Sequence, residues 1–348
     1  MRRAPFAGPQ RFTGLMGALV VGVVAVGLVS VGVGSVWISP AEVWSVMWSH
    51  VPGAPPATAL ATDLIVWTVR LPRTVLGILV GAALAVSGAV IQTVVRNPLG
   101  DPYLIGIVPG AGVGAVLVIV LGSGAVGGIS LAAAAFAGAM LAFAATFALG
   151  RQQGRWPPVR LVLAGVAIGY LFSAFTYFLQ TLATPTQLQR VLFWTLGSVS
   201  GATWGDVPLL LVVVVVGTAW LTASARRLNG LAGGTALATS LGLDVGRFQL
   251  QLMALVALMT GAVVAVVGGI GFVGLMVPHL ARLLVGADHR RVLPTSLLGG
   301  AIFLPLADIA ARTVRPPTEL PIGIVTAAVG APFFIWLLAT LGRRGGAS

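Results

Sequence analysis

The stretch Arg70-Leu71-Pro72-Arg73-Thr74-Val75-Leu76-Gly77-Ile78-Leu79-Val80-Gly81-Ala82-Ala83-Leu84-Ala85-Val86-Ser87-Gly88-Ala89-Val90-Ile91-Gln92-Thr93-Val94-Val95-Arg96 decides the fold. Between Arg73 and Arg96 no side chain is charged, and Thr74, Ser87, Gln92 and Thr93 are too sparse to form a solvated helix face. A helix of about 20 apolar residues crosses the ~30 Å hydrocarbon core of a bilayer. Arginines bounding both ends hold their charges at headgroup level, as a membrane span requires.

Working outward, similar blocks fall at about 13–37, 103–121, 128–149, 160–182, 205–222, 250–268, 271–286, 293–313 and 321–341. With 72–94 they predict an all-α membrane protein of ten transmembrane helices. The chain has 348 residues, 57% hydrophobic and 8% charged, with a mean hydropathy of +1.02. A soluble protein of this length needs far more charge to cover its surface. Ten spans use roughly 200 residues, so residues 1–348 read as a single transmembrane domain. The run from Leu15 to Val36 follows Arg2 and Arg3 and reads as a retained first span, since it is longer than a signal-peptide core.

The basic residues fix an orientation. With ten spans, one side holds Arg2, Arg3, Arg11, Arg96, Arg151, Arg155, Arg160, Arg226, Arg227, Arg247, Arg282, Arg290, Arg291, Arg343 and Arg344. The other holds Arg70, Arg73, Arg190, Arg312 and Arg315. The positive-inside rule makes both termini cytoplasmic. The net charge of +12 is therefore a topology signal, with no nucleic-acid partner implied.

Several function classes drop out. All 20 basic residues are Arg, so the lysine of a phosphate-cradling P-loop is missing and ATP cannot be hydrolysed at such a site here. Cys is absent, which excludes disulfides, thiolate metal sites and lipoprotein anchoring. HExxH and GxSxG are absent, leaving intramembrane proteolysis without metal or nucleophile. One His and scattered carboxylates near membrane depth form no ligand cluster, so no metal site is expected. His279 and Asp308 read as structural hydrogen-bonding groups rather than a proton relay.

Outside the spans, Ser39-Pro40-Ala41-Glu42 is a capping box that starts a short external helix at about 40–50. Trp37, Trp44, Trp48 and Trp67 are expected near the outer headgroups. Val51 to Thr58 reads as an extended connector, and a second external element is expected at about 186–196. Small-xxx-small pairs such as Gly77/Gly81 and Gly110/Gly114 predict close helix contacts. The longest inner loop, about 226–249, is long enough to imply a role.

Three motif groups remain. The Arg70–Gln92 stretch is followed by Arg96-Asn97-Pro98-Leu99-Gly100-Asp101-Pro102. Gly271-Phe272-Val273-Gly274-Leu275-Met276-Val277-Pro278-His279 leads to Arg282. Ala307-Asp308-Ile309-Ala310-Ala311-Arg312 precedes Glu319-Leu320-Pro321-Ile322-Gly323 and Gly330-Ala331-Pro332-Phe333. Over about Trp37 to Gly342, and through Gln92, Asn97, Pro98, Pro278, His279, Glu319 and Pro321 in particular, the chain resembles the FecCD family of ABC permeases. That family imports iron–siderophores, haem and vitamin B12.

The resemblance implies a type II ABC importer permease fold in a bacterial cytoplasmic (inner) membrane. It implies a non-catalytic chain without a cofactor of its own, with ATP and Mg on two cytoplasmic ATPase subunits. The further partners are a second permease copy, identical or different, an external substrate-binding protein and membrane lipid. By motif, Arg70, Arg73 and Arg312 would dock the acidic lobes of the binding protein, as fork-shaped guanidinium groups suit carboxylates. Reversing Arg70 and Arg312 to Glu is then expected to weaken docking, more so at low salt. Leu231, Gly234, Leu241 and Gly242 would lie in the ATPase-coupling loop, where Thr235 and Gly233 depart from the family pattern. Trp156, Pro157 and Pro158 would form the inner gate. The pathway would run along spans five and ten and the element between five and six. Phe193-Trp194-Thr195-Leu196-Gly197-Ser198-Val199-Ser200-Gly201 resembles siderophore permeases more than vitamin B12 ones, which makes a ferric siderophore the expected cargo. Haem and cobalamin are the alternatives within the family, and a gradient-driven secondary transporter is the alternative outside it.

Overall fold

The computed structural model describes residues 4–6, 8–34, 36–53, 55, 59–315 and 318–345. Arg2, Arg3 and half of the Pro/Ala connector lie outside them, as do the side chains of Arg343 and Arg344. The described residues are almost wholly helical. In chain order the helices are α1 (Pro9–Gly32), α2 (Pro40–Ser49), α3 (Leu60–Asp63), α4 (Leu71–Val94), α5 (Ile107–Leu121), α6 (Leu131–Gly150), α7 (Pro158–Thr181), α8 (Pro185–Leu196), α9 (Val207–Ala223), α10 (Ala225–Ala232), α11 (Thr235–Ser240), α12 (Val245–Val267), α13 (Val273–Val285), α14 (His289–Thr313) and α15 (Ile322–Gly345). A π-helical stretch, Leu64–Arg70, joins α3 to α4, making one helical run of 35 residues.

Every apolar block of the sequence forms a helix, but the lengths differ. Among the described residues, six helices are long and apolar enough to cross a bilayer. α9 and α10 qualify together as a pair bent by 62°. The apolar parts of α5, α13 and α15 are shorter. Local signals explain where helices begin. Ser39 and Glu42 close the expected capping box on α2, and Thr184 with Gln187 closes a second one on α8. Ser130, Asp244 and Asp288 each accept a backbone N–H at the starts of α6, α12 and α14. Prolines lie inside α13, α14 and α15, and in α13 the Gly274 carbonyl that Pro278 leaves without a helical donor accepts from Gln92 Nε2 at 3.2 Å.

α4 is the axis of the molecule. Its most apolar window is 89% buried, against 11% for α1. It runs antiparallel to α14, from the Arg73–Asp308 pair at one end to the Thr93–His289 contact at the other. The two backbones meet at Gly81 and Gly300, where a Cβ on either would strike the other's carbonyl. Gly110 and Gly138 bring α5 and α6 together in the same way. Gly77 meets only Pro305, at ordinary contact distance, so the Gly77/Gly81 pair serves close packing through Gly81 alone.

By contrast, the window on α7 is only 22% buried. Leu163, Val166, Tyr170 and Tyr177 form an uncovered apolar stripe along it. Ile324, Val329, Ile335 and Trp336 are exposed on α15. These surfaces face lipid or a partner rather than this chain's own core.

Candidate functional site

Two polar clusters sit at opposite ends of the α4–α14 pair. About 23 residues of helix separate Arg73 from Arg96, which is roughly 34 Å of rise and close to the thickness of a bilayer core.

The first cluster gathers Arg70, Arg73 and Arg312, as the motifs predict. None is more than 7% exposed. The wide π turn ahead of α4 carries Arg70 inward, where it donates to the carbonyls of Val31 at 2.9 Å, Gly32 at 2.8 Å and Val36 at 2.5 Å. Arg73 forks onto Asp308, with Nε 3.0 Å from Oδ2 and Nη2 2.8 Å from Oδ1. It also donates from Nη1 to Glu319 Oε1 at 3.0 Å. Arg312 donates to Ser30 O at 2.6 Å and Ser30 Oγ at 2.9 Å, with Asp308 3.6 Å away. Thr74 completes the set by donating to Ser30 Oγ. A cavity of about 220 Å3 borders all three arginines. Three guanidinium groups facing two carboxylates leave the cluster net cationic. Glu319 is its outward member, with a side chain 41% exposed.

This geometry changes the docking expectation in one respect. The arginines are not free surface charges: each is tied to groups of its own chain. Reversing Arg70 and Arg312 would break the bonds that hold α1 to α4 and α14, so loss of docking in that variant would not isolate a docking role. Asp308 behaves as read from the sequence, as a structural partner with no free carboxylate for a proton relay. His279 does not: its Nε2 is buried without a hydrogen bond, and its ring rests edge-on near Phe333.

The second cluster lies where α4, α10, α13 and α14 meet. Gln92 donates to the carbonyls of Gly274 and Leu275, each at 3.2 Å, and accepts from Arg282. His289 Nδ1 faces Asn229 Oδ1 at 2.7 Å, and Nε2 faces Thr93 Oγ1 at 2.7 Å. Asn229 Nδ2 donates to Asp288 at 2.7 Å while its Oδ1 accepts the His289 backbone N–H. That fixes the amide orientation, so a neutral His289 ring carries its proton on Nδ1. Sequence reasoning missed this network; nothing in the spacing of Thr93, Asn229 and His289 announces it. Asn97 closes an Asx turn onto Leu99 N–H and Pro98 follows it, so both shape the loop after α4. Pro278 is buried within α13, and Pro321 precedes α15.

The inner loop holds two helices, α10 and α11, rather than one. Leu231 is 1% exposed and packs into the core, so it cannot touch a partner directly. Gly234, with φ of +117°, makes the turn into α11. Leu241 is 68% exposed and Gly242, with φ of +78°, turns the chain after α11. The Trp156 indole is also internal: Nε1 donates to Phe147 O at 2.9 Å, and the ring stacks on Phe147 at 4.2 Å. Pro157 and Pro158 then start α7. The expected gate residues therefore brace the α6–α7 turn instead of projecting into open space. Beyond the spans, burial pushes the Asp101 carboxyl up to about 6, opposed by its bond from Tyr103 N–H. No cluster of three or more His, Asp or Glu suited to a metal exists among the described residues.

These features fit what comparison with known proteins finds. The profile of the FecCD transport family matches residues 22–340. The cobalamin import system permease protein BtuC of Halobacterium salinarum is 47% identical over 276 residues, covering 79% of this chain and 73% of the relative. The vitamin B12 import system permease protein BtuC of Escherichia coli is 40% identical over 307 residues, covering 88% and 89%. A solved inward-facing transporter, assigned to the metal-chelate ABC type, superposes with a TM-score of 0.82 at 30% identity, over 94% of this chain and 99% of that one. With the family matched across nearly every helix, the chain belongs to the FecCD transport family, as a permease subunit of an ABC importer.

Proposed function

We propose that this permease carries a corrinoid across the cytoplasmic membrane, driven by ATP hydrolysis on separate ATPase subunits. The observation that carries the reading is its likeness to permeases named for cobalamin and vitamin B12, at 47% and 40% identity over most of the chain. The ferric-siderophore expectation gives way to it. That expectation rested on Phe193–Gly201, and these residues sit where backbones cross. Gly197 O accepts the Ile322 N–H at 3.1 Å, and Ser198 N–H donates to Val267 O at 2.8 Å. Their identities answer to a packing constraint at least as much as to a cargo.

The same reading includes ten spans with cytoplasmic termini in a bacterial inner membrane, a dimer of permeases, two ATPases and an external binding protein. The uncovered faces of α7 and α15 support a dimer with its pathway between the copies. Exposed Leu241 and the Gly234 and Gly242 turns support an ATPase contact at α11, with Leu231 anchoring the loop from within. The rigid Trp156–Pro157–Pro158 turn supports an inner closure at the start of α7. The net-cationic cluster around Arg70, Arg73 and Arg312 supports docking of acidic groups, with Glu319 as its adjustable rim.

The test is transport in proteoliposomes holding this permease, its cognate ATPase and its binding protein. ATP-dependent uptake of cobalamin with none of a ferric siderophore is the expected result. Uptake of the siderophore alone would overturn the cargo. Uptake that needs no ATPase and collapses with an uncoupler would overturn the importer mechanism.

A further inference from the structure

At the Arg96 end of α4 lies a cavity of about 270 Å3, lined among others by Gln92, Thr93, Arg96, Asn97, Arg282 and His289. No Asp or Glu is among its lining residues. Arg282, half-buried, gives one N–H to Gln92 Oε1 and one to Ala89 O. A guanidinium carries five N–H donors, so several remain. Among the described residues neither Arg282 nor Arg96 forms an ion pair. Asp288, at the start of α14, does not line the cavity; its Oδ1 accepts from Asn229 Nδ2 and from the Arg290 backbone N–H. Arg96 follows the end of α4 at φ of +49°, with its side chain exposed.

Two cations thus line one recess with no ion-pair partner among the described residues. The carbonyl ends of α4 and α13 offset part of this cost, but a helix terminus contributes only about 0.3–2 kcal/mol per charge. The contrast with the other end of α4 is direct. There, Arg73 is matched by Asp308 and Glu319. His289 offers the cavity no free ring nitrogen, since both are taken by Asn229 and Thr93. The remaining donors are the two guanidinium groups and the Asn97 amide, whose Oδ1 already accepts from Leu99. Donors without acceptors, fork-shaped and cationic, match a tetrahedral oxyanion.

We propose that this recess binds a phosphate group, bridged by Arg96 and Arg282, at the level where the helices leave the bilayer. The phosphate comes either from an anionic phospholipid headgroup or from free phosphate in solution. Either source neutralises the pair and ties the end of α4 to α13, next to α10 and the loop that follows it.

The experiment uses the intact permease in nanodiscs of phosphatidylcholine, with and without phosphatidylglycerol, and in phosphatidylcholine discs titrated with inorganic phosphate against chloride at equal ionic strength. Thermal unfolding and lipid retention in native mass spectrometry are the readouts. Phosphatidylglycerol is expected to raise the unfolding midpoint and to be retained about tenfold over phosphatidylcholine. Arg96→Asn should abolish most of that preference. Arg96 is exposed and Asn suits its left-handed backbone, so this variant keeps the fold. Arg282→Gln should abolish the preference too, though it also loosens Gln92. A response to phosphatidylglycerol alone assigns the lipid source, and a response to phosphate alone assigns the soluble one. No response to either, or one that Arg96→Asn leaves unchanged, overturns the proposal. Loss of ATPase association in Arg96→Asn without any phosphate response would also overturn it, assigning the recess to an acidic partner segment.

Discussion

Removing the Arg73 guanidinium leaves Asp308, whose side chain is 4% exposed, without its bidentate partner. Breaking a buried ion pair from one side typically costs about 3 kcal/mol or more, because the survivor keeps its desolvation penalty. Arg73→Met should therefore lower the unfolding midpoint sharply. Arg73→Met combined with Asp308→Leu should cost less than the sum of the two single changes. Unfolding of the four proteins in one detergent measures this coupling. Strict additivity would mean that Arg73 is held by Glu319 and the surrounding helices, not by Asp308. The motifs gave the three arginines their common place, at one end of two helices. They could not give the partners of Arg70 and Arg312, because Ser30 and the Val31, Gly32 and Val36 carbonyls belong to α1 and the loop after it, far away in sequence. A charge flanking an apolar block reads the same whether it snorkels, docks or is buried.

At the scale of elements, apolar length and capping residues made the helices legible, while the crossings between them were hidden. The Thr184–Gln187 capping box sits in plain view and sets the start of α8 one residue ahead of the expected element. The end of α8 obeys a different constraint. Gly268, at φ of +72°, closes α12 beneath the Trp194 carbonyl, and Gly197, at φ of +73°, ends α8 against Gly269. Gly323 at the start of α15 lies under the Leu196 carbonyl. Most of the 47 glycines read alike in the sequence, and only the fold singles these out. Gly268→Ala adds a Cβ both to a left-handed backbone and to a carbonyl contact. Left-handed geometry alone costs an L-residue about 1–2 kcal/mol, so the fold should be destabilised by at least that amount. Gly201→Ala, with open space around it, serves as control. Equal unfolding midpoints for the two variants would mean that the α8–α12–α15 junction yields without cost.

For the whole molecule, the arrangement of charge makes orientation testable with an unusual advantage: the chain has no Cys. Any single introduced cysteine is then the only thiol. If the ten helical segments each cross the membrane, the turn between α5 and α6 and the start of α8 face outward. The α6–α7 turn and the end of α11 face the cytoplasm, on the same side as Arg96 and Arg282. Ala125, Gln152, Thr186 and Ser240 are exposed at these four places. A membrane-impermeant maleimide applied to intact cells should label Ala125→Cys and Thr186→Cys. It should reach Gln152→Cys and Ser240→Cys only after permeabilisation. Because α5 and α13 are shorter than the long spans, a re-entrant α5 is the arrangement most able to upset this order. It would return the chain to the side it left, so that Ala125→Cys labels only after permeabilisation while Gln152→Cys, beyond the crossing of α6, labels in intact cells. Labelling of Ala125→Cys in intact cells therefore requires α5 to cross, since the chain enters α5 from the face of Arg96. The reverse order at all four would place the arginine-rich face outside, against the field that Arg96, Arg282 and their neighbours set up during insertion.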